Sequence, residues 1–167
     1  MNIVLIGMPG CGKSTVGVVL AKNLALDFID SDLLIQREMG MRLSALIEQY
    51  GDDGFREIEN RVNSGIQAEH SVIATGGSVI YGEEAMRHLK AIGKVIYLKL
   101  SYEQIEERLG NLHARGVSIK AGQTLRDLYN ERCPLYERWA DMTIDCDGKR
   151  LREVVLHITD KLTGEEA

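Results

Sequence analysis

The sequence predicts an α/β fold of three layers, a parallel sheet flanked by helices, and three observations carry that expectation. Short apolar runs alternate along the chain with segments whose apolar residues recur at helical spacing. Strand, helix, strand, helix is the order that a parallel sheet with crossover helices produces. The polar motifs "GMPGCGKST", "DSD" and "TGGS" each stand just past a strand-like run. They should therefore meet at the carboxyl edge of one sheet, where such sheets bind ligands.

Five runs read as strands: Ile3–Ile6, Asp27–Asp30, Ser71–Thr75, Lys94–Leu100 and Met142–Cys146. Between the first two, Val16, Val19, Leu20 and Leu24 mark one face of a helix. "LLIQREMG" reads as a second helix, and Phe55, Ile58, Val62 and Ile66 as the buried stripe of a third. "LRDLYNERCPLYERWAD" is helical, and Leu151, Val154, Val155, Ile158 and Leu162 place a last helix at the end. "GNLHARGVSIKAGQT" has no period and three glycines, which predicts a mobile surface loop.

A chain of 167 residues with prolines only at 9 and 134, no repeat and no linker composition fits one domain spanning 1–167. No stretch approaches the ~18 apolar residues of a membrane span, and the N-terminal apolar run is too short for a signal peptide. A net charge of −5 argues against a broad nucleic-acid surface, so an anionic ligand needs a local cluster of donors. Cys11, Cys133 and Cys146 are odd in number and widely spaced, matching reduced thiols rather than a disulfide framework or a metal pair. The expectation is a cytoplasmic monomer acting on a small molecule, with no nucleic-acid or membrane partner.

Gly7 to Ser14 matches G-x-x-x-x-G-K-[ST], with a strand before it and an amphipathic helix after it. Backbone N–H groups along Gly10, Cys11, Gly12, Lys13, Ser14 and Thr15 can cradle phosphates at the positive end of that helix. Lys13 should reach the outer phosphates of ATP, and the Ser14 hydroxyl should sit on Mg²⁺. Cys11 lies in this loop near a helix N-terminus, where a thiol can become more acidic. No guanine-reading N-K-x-D pattern occurs, and the length leaves little room for a motor's additional parts. A kinase of small molecules is the class that remains.

Asp30 and Asp32 share one strand parity, so both carboxylates point the same way in extended chain. They can hold acceptor hydroxyls, organise Mg²⁺ or supply a base, or Asp30 or Ser31 can simply cap the following helix. In "GFREIENRV", Arg56 and Glu59 stand three apart beside the buried stripe. They form either an exposed ion pair or a guanidinium aimed at a substrate carboxylate and steadied by Glu59.

Taken together, "GMPGCGKST", "FIDSDLLIQREMG", "GDDGFREIENRV", "VIATGGSVI" and "ERCPLYERWAD" make the chain resemble the shikimate kinases over nearly its whole length. The resemblance implies a P-loop fold with a five-stranded parallel sheet, an acceptor-binding region at about 31–62 and a lid at about 109–123. It implies transfer of the ATP γ-phosphate to the 3-hydroxyl of shikimate, on the route to chorismate and the aromatic amino acids. By the same resemblance Asp32 binds the acceptor and serves as base, and Asp30 lies near Mg²⁺. Arg56 and Arg132 clamp the substrate carboxylate, with Glu59 orienting Arg56. The N–H groups of Gly76 and Gly77 meet the acceptor, and Arg108 lies against the adenine.

Two departures fall on the acceptor side. Where the family usually has three glycines, this chain has Gly76-Gly77-Ser78. Either Ser78 adopts an ordinary backbone conformation, or the floor of the site has another shape; its hydroxyl is also a candidate substrate contact. The family's lid motif R-P-L-L is replaced by "HARGVSI", in which Arg115 is the nearest equivalent of the catalytic lid arginine, with His113 and Lys120 as weaker alternatives. The departures keep two other readings open: a kinase of a different hydroxylated acid or polyol, and a nucleotide-binding regulator with low turnover.

Overall fold

The computed structural model describes residues 1–109 and 120–166. Five strands, β1 (Asn2–Ile6), β2 (Asp27–Asp30), β3 (Ser71–Ala74), β4 (Gly93–Lys99) and β5 (Met142–Asp145), form one parallel sheet in the order β2-β3-β1-β4-β5. The strands match the sequence reading to within a residue at each end. At the amino edge the sheet extends to Asn2, because its buried side chain accepts from Ser71 N and donates to Ala68 O and Ile92 O. A polar residue can start a central strand when every one of its groups is paired.

The register decides where the motifs meet. Asp30 pairs with Ala74 and Ala74 with Leu5, so β2, β3 and β1 finish almost level. The next residues, Ser31, Thr75 and Ile6-Gly7, therefore leave the sheet side by side. The central position of β1 explains its sequence: Ile3 to Ile6 are fully buried, as a strand covered on both faces requires.

Among the described residues there are seven α-helices: α1 (Lys13–Leu24), α2 (Ser31–Met39), α3 (Leu43–Ser64), α4 (Glu83–Ile92), α5 (Tyr102–Arg108), α6 (Leu125–Trp139) and α7 (Leu151–Glu166). A short 3-10 turn, Val79–Tyr81, follows β3. Helix α3 breaks at Gly51, whose φ of 72° and ψ of 177° are not helical. Thr124 and Asp127 start α6 with a reciprocal capping box, and α2 begins on the Asp30 side chain. The main core fills both faces of the sheet, while Ile35, Leu46, Phe55 and Val62 form a second, smaller cluster between α2 and α3. No helix among the described residues is long and apolar enough to cross a membrane.

Candidate active site

The loop between β1 and α1 takes its shape from glycines. Gly10 and Gly12 have φ of 79° and 96°, a left-handed backbone that a side chain would oppose. No side chain caps α1, so its first N–H groups stay available to a ligand. Lys13 is buried, and its Nζ donates to Gly7 O at 2.7 Å and Met8 O at 2.9 Å, holding the amine over the loop. Cys11 is buried beside it, with Sγ 3.8 Å from Lys13 Nζ.

Asp30 performs two of the tasks open to it. Its Oδ1 accepts from the backbone of Asp32 and Leu33, which caps α2, while Oδ2 accepts from Ser14 Oγ at 3.1 Å. The helix cap thus fixes the carboxylate that faces the loop hydroxyl. Beyond it, a cleft of ≈ 400 Å³ joins Lys13 and Ser14 to Asp32, Glu59, Gly76 and Arg132. Thr15, Gly77 and Ser78 line it as well.

The two carboxyls of the cleft are hard to ionise. Burial, then the nearby charge of Asp30, pushes Asp32 up to about 6 against the opposing pull of Lys13. Glu59, fully buried, is pushed up to about 7 by burial, partly offset by the hydroxyl of Ser78 and the two arginines. Gly76 must lack a side chain here, since a Cβ would lie 2.7 Å from both Asp32 Oδ1 and Glu59 Oε2.

Ser78 has φ −98° and ψ 4°, a region that turn residues of any type adopt, so the third position of the floor accepts a serine without left-handed strain. Its hydroxyl donates to Glu59 Oε1 at 2.5 Å, which commits it to the protein rather than to a ligand. That bond corrects the expected Arg56–Glu59 pair: among the described residues no ion pair joins them. The spacing does put both on one side of α3, but Glu59 turns to Ser78 while the Arg56 guanidinium stacks on Tyr81, 3.7 Å from the ring centroid.

Arg132 is 1 % exposed, so its guanidinium is buried rather than solvated. It lines the cleft, and its Cζ lies 5.5 Å from the centroid of the same Tyr81 ring. Neither Arg56 nor Tyr81 is among the cleft-lining residues; Arg56 is tied to the site through the Tyr81 ring, which Arg132 also meets. On the far side of the loop, Arg108 donates to Gly10 O and shares a smaller recess of ≈ 190 Å³ with Cys11, Cys146 and Lys149. Arg115 and His113 lie outside the described residues.

Sequence reasoning missed Tyr81, Cys146 and Lys149. The last two follow β5 and reach the recess because that strand lies beside β4. Tyr81 had one available signal, an aromatic side chain in a short turn between the glycines of "TGGS" and Gly82.

A sequence model of the shikimate kinase family matches residues 9–163. The chain is 39% identical over 163 residues to a shikimate kinase of Haemophilus influenzae, covering 95% of this chain and 91% of that one. A shikimate kinase of Francisella tularensis is 39% identical over 168 residues, covering 98% and 96%. Among solved structures, a shikimate kinase from Acinetobacter baumannii in complex with shikimate superposes with a TM-score of 0.84 at 31% identity, covering 98% of this chain and 93% of that one. The chain belongs to the shikimate kinase family.

Proposed function

We propose that this chain transfers the γ-phosphate of ATP to the 3-hydroxyl of shikimate, giving shikimate 3-phosphate and ADP. The observation that carries the reading is the continuity of one cleft from the phosphate loop, through Asp32, to the buried guanidinium of Arg132. A phosphate donor, a base and an anion clamp are the parts that phosphorylation of a small hydroxylated acid needs.

The backbone from Gly10 to Thr15 holds the β- and γ-phosphates, Lys13 moves from its loop carbonyls onto them, and Arg108 borders the adenine recess. Asp32 takes the acceptor's proton as the acceptor oxygen bonds to the γ-phosphorus and the bond to the β,γ-bridging oxygen breaks. ADP carries away the electron pair of that bond. Arg132, with Arg56 beside it on Tyr81, binds the acceptor carboxylate, and Gly76, Gly77 and Ser78 form the floor on which the ring lies.

Ser14 and Asp30 fit Mg²⁺. They offer a hydroxyl and a carboxylate oxygen 3.1 Å apart, hard ligands few enough to leave the remaining positions to phosphate and water. Bound there, the ion would neutralise phosphate charge. Asp30 then acts from where the α2 cap holds it. A cytoplasmic, monomeric enzyme is the accompanying expectation.

ADP release measured across shikimate, quinate, gluconate and nucleoside monophosphates tests the acceptor. Shikimate should give the highest kcat/KM by a wide margin. Equal turnover of quinate or gluconate would instead establish a kinase of other hydroxylated acids.

A further inference from the structure

We propose that Tyr81 is a positioning residue of the carboxylate clamp, its ring carrying the Arg56 guanidinium in place of an ion pair with Glu59. The inference rests on the shikimate reading above and adds to it how this chain's clamp is held.

The 3-10 turn that presents Tyr81 is built rigidly. Val79 and Ile80 are buried, Tyr81 N donates to Ser78 O, and Gly82 N donates to Val79 O. Gly82 lies so close to α3 that a Cβ there would meet the Asn60 side chain at 2.5 Å. From this turn the ring meets Arg56 of α3 and Arg132 of α6, two cations on different helices. The negative face of an aromatic ring attracts each of them, and so offsets part of their mutual repulsion.

The same turn removes the competing anion. Ser78, three residues before Tyr81, holds Glu59 through its hydroxyl, and Glu59 makes no ion pair with Arg56. An ion pair would occupy the N–H edge of the guanidinium, whereas a stacked ring leaves that edge unused. Nε and Nη2 of Arg56 are buried and have no hydrogen-bond partner among the described residues. These two atoms form one edge of the guanidinium fork, the edge that takes a carboxylate through two parallel hydrogen bonds. Buried donors without partners are costly, and an incoming carboxylate satisfies them.

Steady-state kinetics of Tyr81→Leu and Tyr81→Phe, with shikimate and with its neutral primary amide, test the proposal. Tyr81→Leu should raise the shikimate KM roughly tenfold, with the ATP KM and melting temperature close to wild type. Tyr81→Phe keeps the ring and should restore the shikimate KM, since it is the ring face that carries the Arg56 guanidinium. The KM for the amide should be the same in wild type and Tyr81→Leu. In an Arg56→Ala background Tyr81→Leu should have no further effect, which reports on the pair even where the single variant loses stability. Wild-type turnover with an unmoved shikimate KM in Tyr81→Leu, or equal rises for acid and amide, would overturn the proposal alone. Failure of the wild type to phosphorylate shikimate would instead remove the functional reading on which it rests.

Discussion

Asp32 and Glu59 each bring one carboxyl oxygen to the same point over Gly76, where a methyl group would lie 2.7 Å from both. Burial makes each of these acids keep its proton to a higher pH than a carboxyl in water, with the charge of Asp30 adding to the effect on Asp32 and that of Asp32 to the effect on Glu59. For a group proposed as a base, that sets the acid limb of activity. As pH falls through about 6, Asp32 becomes protonated and can no longer accept the hydroxyl proton. We expect kcat/KM for shikimate to drop about tenfold per pH unit below that point. A profile that stays flat down to about pH 4, the range of an unperturbed carboxylate, would remove Asp32 as the base.

Glu59 makes a prediction about stability, with a sign opposite to that of a surface ion pair. Its carboxyl holds a proton up to about pH 7 in the folded chain and only to the ordinary 4.5 when unfolded. The folded state thus binds more protons between those values, and the stability this supplies drains away as pH rises through about 7. Glu59→Gln cannot ionise but keeps an oxygen to accept from Ser78. Relative to wild type it should gain on the order of 1–3 kcal/mol between pH 5 and pH 8, read from urea midpoints at the two values. Parallel pH curves for the two proteins would show that Glu59 is ionised in the fold at little cost.

Much of this site was legible before any coordinate. The phosphate loop has a spacing that backbone chemistry imposes, and strand-ending motifs must gather at one sheet edge once the order is strand-helix-strand. Asp30 was legible only as alternatives, because cap and loop partner use different oxygens of one carboxylate and no sequence pattern separates them. The partner of Glu59 was not legible. Spacing on a helix shows that Arg56 and Glu59 are neighbours, but which of them turns toward a serine nineteen positions away depends on how the turn after β3 packs on α3. The burial of Arg132 was hidden for the same reason, since its helix is charged throughout and only the packed structure shows which charge points inward.

Ser78 isolates the effect of the departure from three glycines. Ser78→Ala leaves the backbone unchanged and removes the donor to a buried carboxyl, which should cost about 1–2 kcal/mol at neutral pH, where Glu59 is partly charged. Without that donor Glu59 is also free to turn toward Arg56. Its side chain would then compete with the acceptor for the guanidinium edge, so the shikimate KM should rise while the ATP KM holds. Urea denaturation and steady-state kinetics on the one variant check both effects. A rise in the ATP KM of equal size would instead place Ser78 in support of the phosphate loop.

Lys13 is the residue for which catalysis and folding cannot be separated by an alanine. Its amine satisfies the carbonyls of Gly7 and Met8 from a buried position, so Lys13→Ala removes the donor from both as well as the charge for the phosphates. A kcat loss of roughly 10²–10³-fold is expected from deleting one preorganised charge at a transferring phosphoryl group. A stability loss of about 1–3 kcal/mol should accompany it, because two buried backbone acceptors in the loop lose their partner. Lys13→Arg separates the two effects: a guanidinium can still donate to the carbonyls, but its planar fork is too bulky for a loop shaped around an ammonium. It should therefore recover most of the urea midpoint and little of the turnover. If Lys13→Arg recovers both in equal measure, Lys13 acts mainly as a brace of its own loop, and the charge that stabilises the transferring phosphate must come from another residue.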